Sequence, residues 1–186
     1  MSKASENYTK RYPQLMKKSI NTNKTLEALE KNIWPSLSEL DRQDTLIADC
    51  NDYRKIPLKN FTIENYRVLI GQDIGLEFLI PLAIEILKKD ILAGGDCYPG
   101  DLLASIIRSE KDYWIENRKQ WKAVSEIFEK NQDEFCKLIC SLHHEYHKKL
   151  GDLQNKLDLS LIGKSNLMVW EQTLYKYQSL MQLSVH

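Results

Sequence analysis

Glycine and proline are scarce in this 186-residue chain, at 7 and 5 residues, so turns are few and the elements between them should be long. No apolar run approaches the ~18 residues that a membrane span needs. The opening residues, Met1 to Tyr8, hold no apolar stretch of the kind a secretory signal requires, and a cytoplasmic protein is expected. A surplus of charge is missing too: 26 basic residues balance 26 acidic ones. Nucleic-acid binders ordinarily carry a basic excess, so no direct nucleic-acid contact is expected. The four cysteines, Cys50, Cys97, Cys136 and Cys140, are too scattered for a disulfide framework and read as free thiols in a reducing compartment. Sustained apolar–polar alternation, the mark of a half-buried strand, is found nowhere, and no segment repeats.

What is present is a globular composition, 42% hydrophobic and 28% charged, which excludes wholesale disorder. A chain of this size buries about 70% of its unfolded surface, enough for a core without staples. Helical periodicity recurs along it. Tyr8, Tyr12, Leu15, Met16 and Ile20 space as a short amphipathic helix broken near Pro13. Thr25 to Lys31 reads as one or two turns with Leu26 and Leu29 inward, stopped by Trp34-Pro35. Thr45 to Tyr53, capped by Asp44 or Thr45, is expected to bury Leu46, Ile47 and Cys50. Thr62 is a good N-cap, with Glu64 complementing the helix dipole in the first turn. Gly71 and Gly75 bracket an interruption, since glycine tolerates the left-handed conformation that ends helices. From Leu76 to Leu87 the chain is apolar nearly all round, so this helix should be central, with Pro81 early enough to be tolerated. A Gly-rich loop follows from Asp90 to Gly100, and Asp101 is placed to cap a helix from Leu102 to Ile107. Lys111 to Lys130, Glu134 to Leu157 and Asn166 to Leu183 each keep a helical period. The fold class is all-α: a single compact bundle of about seven or eight helices, forming one domain over residues 1–186.

Catalytic and metal chemistry find little footing. Cys136, Cys140, His143 and His147 are zinc-ligand types, but one helix would spread them over roughly 16 Å, too far for a single ion. Glu145 is not placed as in His-Glu-x-x-His, where the Glu directly follows the first His and precedes the second by three. His143 and His147, at i and i+4, remain as half a site, and a metal-dependent enzyme using Cys140, His143 and His147 is the alternative reading. A helical regulatory scaffold is another. No Gly-x-Ser-x-Gly elbow occurs, and neither Gly71 to Gly75 nor Gly94-Gly95 runs into the Lys-Ser/Thr ending of a phosphate loop. No catalytic residue, metal or cofactor is therefore assigned. Trp114, Trp121 and Trp170 lie at helical spacing and read as core. The charge is unevenly spread: residues 1–60 carry 11 basic and 8 acidic groups (+3), residues 61–107 carry 3 and 7 (−4). The acidic middle can attract a basic partner.

One stretch is more specific than packing requires. Leu69-Ile-Gly-Gln-x-Ile-Gly-Leu76, the Pro81-Leu-Ala helix ending at Asp90, and Gly95-Asp-x-Tyr-Pro-Gly-Asp-Leu-Leu103 together resemble the immunity proteins of bacterial contact-dependent growth inhibition (CDI) systems. Upstream, Thr25-Leu-Glu-x-Leu29 with Trp34, and the helix before Pro57-Leu58, look like that family's opening. The resemblance covers residues 24–107 and leaves 108–186 as a helical extension. It departs at Ile91, where the family often has proline, and at Gly94, where it often has an acidic residue. The resemblance implies a small cytoplasmic protein, not an enzyme, that binds and neutralises the C-terminal toxin domain, commonly a nuclease, of an effector delivered by a neighbouring cell. No membrane or nucleic-acid contact is implied. Asp73, Glu77, Asp96, Tyr98 and Asp101 are the candidate toxin-binding residues. Asp101 is also explained as a helix cap, and Tyr98-Pro99 as a packed turn. Because immunity proteins meet variable toxins, the helices beyond Arg108 are a second place for specific contacts.

Overall fold

Apart from Glu77, Pro81 and Glu85, every residue from Leu76 to Leu87 is apolar, so a helix built from them has almost no face suited to water. The computed structural model describes residues 20–131, 133, 134 and 137, and in it this helix is the fourth of seven. In order they are α1 (Leu26–Glu30), α2 (Thr45–Tyr53), α3 (Ile63–Gly71), α4 (Leu76–Leu87), α5 (Asp101–Arg108), α6 (Lys111–Glu116) and α7 (Arg118–Lys130). Single 3₁₀ turns, Asp41–Gln43 and Leu58–Asn60, precede α2 and α3. Among the described residues the only extended pairing is one antiparallel bridge, Thr25 with Pro57. The all-α expectation holds. The helices expected around residues 8–20, 134–157 and 166–183 lie almost wholly outside the described residues.

α4 buries Leu76, Leu79, Ile80, Ala83 and Leu87, and touches α3, α5 and α7. α3 packs chiefly on α5, whose Leu102, Leu103, Ile106 and Ile107 are all fully buried. The strip before α1 lies along the exit from α2. Lys59 N–H donates to the Thr22 carbonyl (2.8 Å), Leu58 N–H to Lys24 (3.1 Å) and Glu27 N–H to Arg54 (3.3 Å). Capping follows the sequence closely. Asp44 accepts from the Leu46 and Ile47 amides at 3.0 and 3.1 Å. Thr62 and Asn65 exchange side-chain and backbone bonds as a capping box. Such caps are each worth about 1 kcal/mol.

Helix ends depart from expectation. α1 keeps its expected extent from Thr25 to Lys31, but Lys31 itself, at φ 53°, ends it ahead of Trp34-Pro35. Gly71 stays helical. The left-handed residue that ends α3 is Asp73 (φ 55°), with Asp73 N–H to the Ile70 carbonyl (3.0 Å) and Ile74 N–H to Leu69 (2.9 Å). This is a Schellman ending with Asp in the seat usually given to glycine. Gly75 does adopt the left-handed form, at φ 65°, and launches α4. The segment Lys111 to Lys130 is two helices, not one. Asn117 breaks it at φ −110°, ψ 44°, and its side-chain amide donates to the Tyr113 carbonyl (2.9 Å), a local bond that competes with helix. Trp114 and Trp121 are buried, as are Val124 and Phe128. The Trp114 indole N–H donates to Ser109 Oγ (3.0 Å), and edge-to-face contacts at 5.2 Å link Tyr113, Trp114 and Trp121.

α2 is the largest correction. Cys50 is buried as expected, but Leu46 and Ile47 are each 44% exposed. The buried places go instead to Asn51 and Arg54, the latter only 1% exposed. Burying a guanidinium demands partners. Arg54 pairs with Glu30, donates to the Asn32 carbonyl at 2.8 Å and lies 4.2 Å over the Trp34 ring. That ion pair fixes how far α2 is drawn inward, and its first turn overhangs the core edge.

Two glycine substitutions should separate shape from space. An alanine Cβ at Gly75 would lie 2.6 Å from Leu26 Cδ2, at a φ that disfavours any side chain. Gly75→Ala should lose about 2 kcal/mol or more in denaturant unfolding of the full chain. At helical Gly71 the same atom meets Ser105 Oγ at an ordinary 3.5 Å, so Gly71→Ala should be neutral or gain up to about 1 kcal/mol.

Candidate partner-binding surface

The loop between α4 and α5 has too few backbone partners of its own, and two carboxylates supply the rest. Asp101 Oδ1 accepts from Gly95 N–H at 2.7 Å, and its Oδ2 accepts from Cys97 and Tyr98 at 3.1 and 3.4 Å. Glu64 Oε2, reaching across from α3, accepts from Asp96 N–H at 2.9 Å. Four successive amides are thereby satisfied. Arg67 lies between the two acids. It donates through Nε to Glu64 at 2.6 Å, with a second bond to the other oxygen, and its Nε is 3.7 Å from Asp101. Arg67 holds the Glu64 carboxyl below the usual range, helped by the Asp96 amide and opposed by burial. The Arg67 guanidinium is itself pushed up by Glu64. Gly95 is needed for the close approach, since a Cβ there would fall 2.2 Å from Glu64 Oε2 and 3.1 Å from its Cα.

The five candidate residues fall into separate settings. Asp101 is 2% exposed, and its carboxylate faces the loop, not solvent. It is also not the cap of α5: Gly100, at φ 83°, holds that position and Asp101 is the first helical residue. Asp96 stands exposed at the loop tip, in a cleft with Tyr53 and Glu64. Tyr98 is half-buried, which pushes its phenol up, and shares a notch of about 230 Å³ with Leu46, Gln72, Ser105 and Arg108. Asp73 and Glu77 line a different hollow of about 290 Å³, floored by Trp34 and Arg54 and edged by Glu30. The Asp73 carboxylate accepts from Glu110 N–H at 2.7 Å, tying the end of α3 to the start of α6. Glu77 Oε2 is buried without a hydrogen-bond partner among the described residues. Burial, with the nearby Glu30 charge, pushes the Glu77 carboxyl up.

Sequence reading took Glu64 only as a complement to the helix dipole and missed Arg67, although their i,i+3 spacing on α3 is a recognised ion-pair signal. It also missed Arg54, which stands i+4 from Cys50 on the inward face but is disguised by its charge. Among the described residues no group of three or more His, Cys, Asp or Glu is placed to hold a metal. Cys140, His143, His147 and Trp170 lie outside the described residues. No helix among them is long and apolar enough to cross a membrane.

The family model described as CDI immunity proteins matches residues 28–124, just over half the chain. The chain belongs to that family. No curated protein and no solved structure matches it. As a CDI immunity protein its role is immunity against a CDI toxin. The match runs past the motifs of residues 24–107 and takes in α6 and half of α7, with Trp114 and Trp121. All five candidate residues lie inside it.

Glu64 and Glu77 should titrate with opposite signs. The lowered Glu64 carboxyl stabilises the fold above the ordinary carboxylate range, and this is lost as pH falls through its folded value. The raised Glu77 carboxyl favours the fold when protonated and loses that contribution as pH rises through its folded value. Glu64→Gln should therefore destabilise by about 2 kcal/mol at pH 7, less near pH 3. Glu77→Gln should match or exceed the wild-type melting temperature at pH 7 and converge with it near pH 4. Melting curves across that pH range check both.

Proposed function

We propose that the protein works in the cytoplasm by binding the C-terminal toxin domain of its cognate effector one to one, without catalysis, cofactor, nucleic acid or membrane contact of its own. The toxin domain, on this reading, is a nuclease whose basic substrate-binding face is covered by an acidic one. The family match carries the proposal. Charge supports it, since residues 61–107 hold 7 acidic and 3 basic groups. Asp96, Tyr98, Asp73 and Glu77 are the contacts we assign, with Asp101 setting the loop from behind. A standard interface takes about 800 Å² from each partner, and tight pairs combine a few buried anchors with charge steering.

Coexpression with the toxin domain encoded by the neighbouring gene tests the reading. Cells should survive, a one-to-one complex should elute on gel filtration, and the purified toxin should degrade nucleic acid only when the immunity protein is absent. Cell death despite folded, soluble protein, with no complex formed, would refute it. Asp96→Lys should weaken the complex at least tenfold and leave the melting temperature within about 1 °C, because its exposed carboxylate is not part of the loop's amide lock.

A further inference from the structure

Five large apolar side chains stand exposed among the described residues, and four of them, Ile33, Leu40, Leu46 and Ile47, fall between residues 33 and 47. Leu40 is the most accessible of the three nearest α2, at 74%, and the other two form the overhanging first turn of α2. Exposed apolar groups gathered in one place mark interaction sites more often than free surface. The same segment is acidic. Residues 33–53 contain Glu39, Asp41, Asp44, Asp49 and Asp52 against a single cation, Arg42, which gives −4.

Internal cations do little to offset that charge. Asp52 takes Arg42 at 3.5 Å and Lys55 at 3.8 Å, whereas no ion pair among the described residues reaches Glu39 or Asp49. Asp41 accepts from Ser38 and Asp44 caps α2, bonds that bring no cation to either carboxylate. Arg67 is engaged by Glu64 and Asp101. Arg108 lines the notch that Leu46 shares. The face also adjoins the contacts assigned above. Leu46, at one end of α2, shares its notch with Tyr98, and Tyr53, at the other end, shares a cleft with Asp96.

We propose that α2 and the turn before it form a docking face for the toxin domain, with Leu40, Leu46 and Ile47 as apolar anchors inside an acidic rim. The occupant is a protein surface carrying an apolar pocket ringed by Lys and Arg. This rests on the toxin-binding reading and adds to it an element that contributes none of the five candidate residues. Apolar centre and charged rim divide the work: the anchors slow dissociation, and the rim speeds encounter in a salt-dependent way.

The test uses the full chain and the toxin domain from the neighbouring gene, with affinity and association rate measured at two salt concentrations. Leu46→Ser/Ile47→Ser should weaken binding at least tenfold with an unchanged melting temperature. Glu39→Gln/Asp49→Asn should slow association several-fold at low salt and flatten its salt dependence. If wild type binds and both variants fold and bind like it, the docking face is wrong while toxin binding stands. A melting temperature lowered by several degrees in the Ser variant would show the face covered by another segment of this chain and overturn the proposal. A wild-type dimer made monomeric by that variant would do the same in favour of a second copy. If wild type binds no toxin, the underlying reading falls and the docking face with it.

Discussion

The loop before α5 is held by two carboxylates that collect four consecutive backbone N–H groups, and much of the molecule is arranged around that arrangement. Amides 95 to 98 turn toward these carboxylates, and a carboxylate accepting from backbone N–H makes a charge-assisted bond stronger than a neutral one. Asp101 supplies three of the bonds and Glu64 the fourth. Two acids so close would repel without Arg67 between them. The three side chains come from α3 and α5, the pair of helices that pack most extensively on each other. The loop therefore fixes the register of α3 on α5, and their packing brings the acids to the loop.

A second buried ion pair does comparable work on the other flank. Arg54 joins α2 to the turn after α1 through Glu30, Asn32 and Trp34. Replacing such a pair with apolar groups can be neutral for stability, whereas removing one partner strands a charge. What the pair contributes here is position. With Arg54 drawn in, Cys50 and Asn51 follow on the same face, and one turn earlier Leu46 and Ile47 run out of core to cover.

This explains which parts of the fold were legible in the sequence. α4 could be read because almost any face of it is apolar, so its direction hardly matters. The caps at Asp44 and Thr62 could be read because capping is local and chemically narrow. Trp121, Val124 and Phe128 kept a clean helical period. Leu46, Ile47 and Cys50 also kept one, yet were misread. Periodicity shows which residues share a face, but not how far along the helix the core extends, and Arg54 sets that limit. Asp101 failed for a related reason. An Asp opening a helix suits the cap and the loop lock equally, and only the approach of amides 95 to 98 decides between them. Asn117 was lost because one side-chain bond outweighs a propensity summed over twenty residues. Four of the five candidate contacts are carboxylates, and charge marks exposed Asp96 and buried Asp101 alike; exposure is a tertiary property.

The family match and the exposed surface place different demands on the chain. Close-packed positions such as Gly75 against Leu26, or Gly95 against Glu64, tolerate little change, so they carry the features by which the family is recognised. An immunity protein must also discriminate among toxins, and discrimination needs side chains that can change without disturbing the core. The outer turn of α2 meets that condition. Its Leu46 and Ile47 are held at the helix end by Asp44, their backbone is fixed by the Arg54 pair, and their side chains make little of the core. A rigid backbone carrying exchangeable side chains loses little entropy on binding, which favours tight association from a small number of anchors. The same physical feature that defeated the periodicity argument, a helix end projecting beyond its core, is the one that gives this fold room for specificity.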